Sequence, residues 1–478
     1  MDAKKIAAFA VGPVGAAALG FITLPIVTWF YSVEDVGRIA MLQVASSFCV
    51  LLFGLGLDQA YIREYHESEF KPALLKSALL PGFMILFAVL CFLLMFSGFI
   101  SKLLFSIDSV AMSAIVALCM LAAFISRFLS LVLRMQEKGL AFSMGQLLPK
   151  LLFLIVIGIY VLFEMGFDFY FLVLAHAFSI VFVALLYAWN TRNEWIEGLQ
   201  QHIDKSSLLQ MLRFGAPLIV GGVAFWGLTA IDRVFLRSIS SYDELGVYSV
   251  SVSFAVAATI LQSVFSTIWA PTVYKWASTG TKMDKIDRVT QYILLIVLVL
   301  FCLAGVFSWL IDFILPENYT NVKYIIVSCL GYPLLYTLSE TTAVGINITK
   351  KTIYSMVATV IAFIFNVIGN LLLIPKYGAA GAAVSTMLAF LVFFILRTEI
   401  SNKLWRPIAR VRLYLFVFIV MFMASITTLF GDKMGMYLYL IWSLLLLVVL
   451  FSFKKEVIDA ISWLGVQKSK NNNIHTSY

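Results

Sequence analysis

Apolar residues run along the chain in long continuous blocks, separated by short polar connections, and within the blocks polarity does not alternate. A helix needs about 20 apolar residues to cross the hydrocarbon of a bilayer. Strands of a membrane barrel are about 10 residues long and alternate in polarity, so a barrel is excluded. The blocks predict fourteen helices, at 6–30, 37–60, 73–97, 110–135, 140–163, 168–190, 208–232, 245–270, 289–313, 323–347, 352–374, 378–399, 411–430 and 436–453. Lys4 and Lys5 precede the first block, from Ile6 to Phe30. A signal peptide's apolar region is about 7–15 residues, so this one reads as an uncleaved span, although Ala16, Ala17 and Ala18 are of the size a cleavage site uses. The connections are too short for a globular domain. The longest, 191–207, sets Trp195, Ile196 and Leu199 among charges, the pattern of a helix lying on the membrane surface. The tail, 467–478 (QKSKNNNIHTSY), is expected to be disordered.

Composition agrees: 62% of the 478 residues are hydrophobic and 13% charged, against about 45–50% and about 25% in soluble domains. The five cysteines (Cys49, Cys91, Cys119, Cys302, Cys329) fall inside apolar blocks without close spacing, and read as small core hydrophobes. The net charge of +8 changes meaning once the charges are placed. With the N-terminus cytoplasmic, 25 of the 34 Lys and Arg fall on the inside and seven outside, with Arg127 and Lys150 left within spans. That asymmetry sets topology, puts both termini in the cytoplasm and requires an even number of spans. No nucleic-acid partner is expected.

The second half repeats the first. Glu34-Asp35-Val36-Gly37 follows span 1, and Asp243-Glu244-Leu245-Gly246 follows span 7 at an offset of 209. Phe142-Ser143-Met144 and Tyr354-Ser355-Met356 open spans 5 and 11, and Gly166 and Gly378 precede spans 6 and 12, both at 212. Six spans separate the copies, so the repeats are parallel, as in transporters built from two lobes around a central cavity. The expected fold is an all-α polytopic membrane protein of about 14 transmembrane helices. Its parts are an N-lobe (1–190, spans 1–6), an amphipathic cytoplasmic linker (191–207), a C-lobe (208–400, spans 7–12), two appended helices (401–466) and the tail (467–478). A duplicated membrane scaffold that transports nothing is the alternative of a different class.

The sequence has no GxxxxGK[ST] phosphate loop, no HExxH, no GxSxG and no His/Cys cluster. Neither catalysis, an ATP site, a cofactor nor a metal is therefore expected. What remains are ionisable groups at membrane depth, each costing about 2.5–3.5 kcal/mol near the bilayer centre. Lys150, after Pro149 in span 5, and Arg127 in span 4 together suit a phosphate or diphosphate. The plain alternative is a Lys that snorkels or pairs with an acid such as Glu340 or Asp58. Glu340 in span 10 is a candidate for proton coupling or for a structural ion pair. Asp58 lies at the cytoplasmic end of span 2, where solvation or capping is the simpler role, and His176 in span 6 is a titratable group or a packing residue. Arg233 and Arg237 share a helical face at the outer mouth, free for cargo or paired with Asp232 or Asp243. Gln146, Asn366 and Asn370 suit hydroxyl-rich cargo or interhelical bonds. Trp226 and Trp269 suit sugar rings or packing. Kinks are expected at Pro25, Pro81, Pro149, Pro217 and Pro333.

The stretch Leu212-Arg213-Phe214-Gly215-Ala216-Pro217, with Ala230-Ile231-Asp232-Arg233-Val234-Phe235-Leu236 and Leu245-Gly246-Val247-Tyr248-Ser249 after it, resembles the start of the second lobe in bacterial polysaccharide flippases. These are the Wzx-type members of the multidrug/oligosaccharidyl-lipid/polysaccharide exporter superfamily. Ile374-Pro375-Lys376-Tyr377-Gly378-Ala379-Ala380-Gly381-Ala382-Ala383 resembles that family's signature between spans 11 and 12. The resemblance implies transport of an undecaprenyl-pyrophosphate-linked oligosaccharide across the bacterial cytoplasmic membrane, with an O-antigen or other polysaccharide as the end product. It also implies ion coupling, and a glycan polymerase and chain-length regulator as partners. The diphosphate would sit on Arg127 and Lys150. Within the superfamily, a lipid II flippase is expected to carry arginines in its first span, and Ile6 to Phe30 has none. A cation/drug antiporter is expected to carry a deep acid in its first lobe, whose deep charges here are Arg127 and Lys150. A polymerase would be expected to have a large outer loop, which the connections do not provide.

Overall fold

Ser32 decides where the second helix begins. Its backbone is extended, and its Oγ accepts a hydrogen bond from the Asp35 N–H at 3.1 Å, satisfying one of the N–H groups that a helix start leaves open. Glu34 and Asp35 place negative charge at the positive end of the helix dipole. The device recurs 209 residues later, where Ser241 Oγ accepts from the Glu244 N–H at 3.2 Å. In the computed structural model, which describes residues 3–279, 283–459 and 462, every regular element is a helix. The tail 467–478 lies outside the described residues.

The chain divides into two compact units, Met1–Phe254 with Leu315–Tyr319, and Ala255–Ile314 with Thr320–Tyr478. The first holds α1 (Ala3–Phe30), α2 (Val33–Phe53), α3 (Leu57–Glu64), α4 (Lys71–Leu94), α5 (Phe99–Phe105), α6 (Val110–Met135), α7 (Gly139–Leu162), α8 (Phe169–Asn190), α9 (Arg192–Leu199), α10 (Lys205–Ile239) and the start of α11 (Tyr242–Thr279). The second holds the rest of α11, then α12 (Met283–Phe307), α13 (Ile311–Ile314), α14 (Val322–Cys329), α15 (Gly331–Thr342), α16 (Val344–Ile348), α17 (Ile353–Leu404), α18 (Val411–Met434) and α19 (Tyr437–Ser452).

Among the described residues eleven helical segments are long and apolar enough to cross a membrane, and Val14–Phe30 and Tyr437–Ser452 are shorter apolar helices. The 52-residue α17 is two helices joined across Gly378, whose φ of 51° and ψ of −128° are non-helical. Counted as two, it brings the total to the fourteen expected. Gly166, its counterpart before α8, also has positive φ, 86°. Both are backbone positions that glycine reaches at no steric cost.

Several boundaries differ from the hydropathy pattern. Span 2 divides at Gly54–Gly56 into α2 and α3, and span 10 divides into α14, α15 and α16. Helices continue through Pro25, Pro81, Pro149 and Pro217. Pro333 falls in the first turn of α15, where its missing N–H costs little. Within 191–207 the chain forms α9, whose Trp195 indole donates to the Ala188 carbonyl at 2.8 Å. After it, the Asp204 carboxylate caps α10 through the Ser206 and Ser207 N–H groups.

Within the first unit the two copies of the repeated motif meet. A Cβ on Gly37 would overlap the Tyr242 carbonyl, and a Cβ on Gly246 would overlap the Val33 carbonyl. Tyr242 is the counterpart of Val33, and Gly246 of Gly37, at the same offset of 209. The contact is therefore reciprocal, and only glycine lets these backbones come so close. Arg38 beside it pairs with Glu34 and Asp35 and donates to the Phe105 carbonyl at 3.2 Å.

Candidate functional site

The Gly54-Leu55-Gly56 turn builds the site. Leu55 (φ 52°) and Gly56 (φ 67°) both adopt left-handed conformations, so the chain leaves the axis of α2 and restarts as α3. A side chain on Gly56 would overlap the backbone of Gly215 in α10, and one on Gly215 would stand 2.8 Å from the Gly56 carbonyl. Arg63, further along α3, lies over the Phe214 ring at 4.4 Å. On one side of this seam is a cavity of about 680 Å³ walled by α2, α3, α6 and α10. On the other is a polar cleft of about 220 Å³ that includes Arg63, Glu64, Glu67, Ser207 and Gln210.

Restarting the helix puts Asp58 in the first turn of α3, on the cavity wall. Arg127, from α6, donates through Nη2 to Asp58 Oδ2 at 2.6 Å, and the Gln59 amide donates to the same oxygen at 3.1 Å. The Arg127 side chain is 41% exposed and that of Asp58 18%, so the pair faces open space. Ser46 and Ser47 on α2 add hydroxyls, and Val50, Leu51, Leu218 and Ile219 supply an apolar wall. Ser47 Oγ also accepts from the Trp226 indole at 3.0 Å, and the Trp226 ring lies 4.6 Å from that of Phe48.

Lys150 stands apart from this pair. Its Nζ donates to the Ala16 carbonyl at 2.8 Å across the α1–α7 contact. Small residues make that approach: Cβ atoms on Gly12 and Gly20 would reach within 2.7 Å of the Ser143 backbone and 2.8 Å of Lys150 Nζ. Gln146 lies on the same helix, α7, half-buried. His176, on α8, sits edge-on to Phe153 at 6.0 Å.

In the second unit Glu340 is bound to Arg397, an arginine not singled out from the sequence. Arg397 Nη1 donates to Glu340 Oε1 at 2.9 Å and to Ser339 Oγ at 2.6 Å, and its guanidinium lies 5.0 Å from the Phe393 ring centre. The Trp269 indole donates to the Glu340 carbonyl at 3.0 Å, which gives that tryptophan a packing role. Asn366 and Asn370 are fully buried. Asn366 donates to Thr386 Oγ1 and Asn370 to Asn366 Oδ1, both at 3.0 Å. Asn366 thereby ties the two halves of α17 together across Gly378, and its own carbonyl accepts from Ser385 Oγ at 3.0 Å. Arg233 donates to the Thr229 carbonyl at 3.4 Å and lies over Tyr248, while Arg237 reaches the Tyr242 hydroxyl at 3.4 Å. Asp232 is buried and accepts from Tyr248 Oη at 2.6 Å.

This many-helix fold is shared with solved membrane transporters. It is similar to a solved lipid II flippase, MurJ, in an inward closed conformation (TM-score 0.67, 15% identity, 95% of this chain and 99% of that one). It is also similar to an inward-facing multidrug resistance MATE family transporter (TM-score 0.55, 14% identity, 81% and 95%). Residues 3–276 match the model of the family described as polysaccharide biosynthesis protein, and the chain belongs to that family. Over 200 residues it is 25% identical to the probable low-salt glycan biosynthesis flippase Agl15 of Haloferax volcanii, a match covering 40% of this chain and 41% of that protein. A second relative, an uncharacterized membrane protein of Methanocaldococcus jannaschii, is 27% identical over 41% of this chain and 38% of its own length.

Proposed function

We propose that this protein is a flippase, which carries a glycan joined to undecaprenyl diphosphate from the cytoplasmic to the outer leaflet of the bacterial inner membrane, with both termini in the cytoplasm. Alternating access between the lobes 1–190 and 208–400 moves the headgroup, while the polyprenyl tail stays in lipid. The single observation that carries this reading is the family match over residues 3–276, which includes both Lys150 and the cavity at Asp58 and Arg127. Lys150 is the cation available to a diphosphate. It gives one hydrogen bond to a neutral carbonyl, and an ammonium has three donors to offer. No step makes or breaks a covalent bond, so no catalytic residue is assigned. A glycan polymerase and a chain-length regulator are the partners that would take up the product.

Ion coupling is the second part of the proposal, with Glu340 and Arg397 as its elements. Protonating Glu340 would release Arg397, so a Glu340→Gln protein is expected to transport with a flattened dependence on the pH gradient. A dependence matching the unaltered protein would remove Glu340 from coupling.

The test is reconstitution into liposomes with a fluorescent undecaprenyl-diphosphate oligosaccharide, scoring access from the far leaflet with and without a pH gradient. Protein-dependent movement is expected, reduced at least tenfold by Lys150→Gln. Failure of folded protein to move this cargo, while moving lipid II or a cationic drug, would assign it to one of those cargoes instead.

A further inference from the structure

We infer that the cavity at Asp58 and Arg127 is a glycan subsite, recognising sugar hydroxyls and one sugar face, and that the carrier's diphosphate is held elsewhere, at Lys150. The inference rests on the flippase reading above and divides its headgroup between two places.

Charge distinguishes the two places. The charged side chains on the cavity wall are Asp58 and Arg127, and they are bound to each other at 2.6 Å. The lining therefore carries no net charge. A diphosphate reaching the free N–H groups of Arg127 would lie close to the Asp58 carboxylate, which is bound to the same guanidinium. Like charges so placed in a medium of low dielectric repel strongly. A sugar hydroxyl meets no such penalty, because it donates to the carboxylate and accepts from the guanidinium without separating them. The Gln59 amide on Asp58 and the Ser46 and Ser47 hydroxyls extend the same donor-and-acceptor chemistry.

Shape and polarity also suit a sugar. A pyranose has a rim of hydroxyls and a face of C–H bonds. Here the polar groups come from α3, α6 and one stretch of α2, while Leu51, Leu218 and Ile219 form an apolar wall. The volume, about 680 Å³, falls within the range of about 300–1,000 Å³ usual for small-ligand sites and takes more than one sugar ring. Lys150 supplies what the cavity lacks. It is a cation held by a backbone carbonyl and, among the described residues, by no carboxylate.

The experiment measures binding to the full-length protein in nanodiscs. The two probes are undecaprenyl diphosphate without sugar, and the lipid-linked oligosaccharide extracted from the host's own membranes. Asp58→Asn and Arg127→Gln are each expected to weaken the sugar-bearing lipid about tenfold or more, the scale of a lost charge-assisted hydrogen bond, and to leave the sugarless lipid within about twofold. Lys150→Gln is expected to weaken both lipids alike. The contrary result is specific: if Asp58→Asn tightens the sugarless lipid and Arg127→Gln loosens it, Arg127 is a phosphate anchor and the subsite assignment is overturned. Gln59→Leu, on an exposed side chain, covers the case in which a charge variant does not fold. It should lower affinity for the sugar-bearing lipid alone, and an unchanged affinity counts against the subsite. Unaltered protein that binds neither lipid overturns the flippase reading itself, and is distinguishable because no variant is then needed to see it.

Discussion

A guanidinium that is 8% exposed, bonded to one hydroxyl and one carboxylate, is held in place largely by the penalty for leaving its partner behind. Breaking such a buried pair from one side costs about 3–5 kcal/mol, whereas replacing both members with apolar residues is often neutral. Arg397→Met is accordingly expected to lower the melting temperature in detergent sharply, and Arg397→Met combined with Glu340→Met to recover most of the loss. Glu340 was legible in the sequence, being an acid alone in an apolar run. Arg397 was not, because it sits two residues from the end of the predicted span 378–399, where a cation is expected to reach the membrane surface. Position along a chain says how deep a Cα lies, but not which way a long side chain is directed. Asp58 and Arg127 were each legible too, with Asp58 given a capping or solvated place. They stand 69 positions apart in the chain, and their pairing depends on the fold between them and on the turn at Gly54–Gly56, which hydropathy averages away.

At the scale of elements, the turn positions carry the sharpest predictions. Gly378 holds a φ/ψ combination that costs other residues about 1–3 kcal/mol, so Gly378→Ala is expected to lower thermal stability and folded yield. Gly158, in the interior of α7 with open space where a Cβ would go, is the control, and Gly158→Ala should be neutral or slightly stabilising. The start of α10 gives a pH dependence. Hydrogen bonds from Ser206 and Ser207 hold the Asp204 carboxyl below its ordinary value of 3.8. A depressed value means that the cap's contribution is complete above pH 3.8 and is lost as pH falls through the lowered value. Cleavage of the 200–210 connection by an acid-active protease should accordingly rise only in that acid window, and Asp204→Ala should remove the step. Helices were the most legible feature of the sequence, since each needs only its own apolar run. The breaks within spans 2 and 10 were not, because their cause lies in a neighbour's backbone.

For the whole molecule, the count of fourteen apolar helices and the repeated motifs were available from the sequence, because duplication leaves an arithmetic trace. Orientation is a proposal with a direct check. In a protein stripped of its five cysteines, a single cysteine at Ser106 is expected to react with an impermeant maleimide added outside cells, and one at Lys138 only after the cells are opened. The reverse pattern would invert the proposed topology. The contact between Gly37 and Gly246 has a further consequence, which belongs to symmetry. Residue 33 meets residue 246 as residue 242 meets residue 37, which is the rule of an isologous two-fold interface, here written within one chain. Two identical subunits meeting this way would have to accept every substitution on both sides of the axis at once. A fused chain is released from that bond, and the difference is already visible one step along: Arg38, with its carboxylates and the Phe105 carbonyl, stands where the other copy has the buried Val247. One half of the seam is thereby a charged rim and the other plain packing, a division of labour that no homodimer could hold.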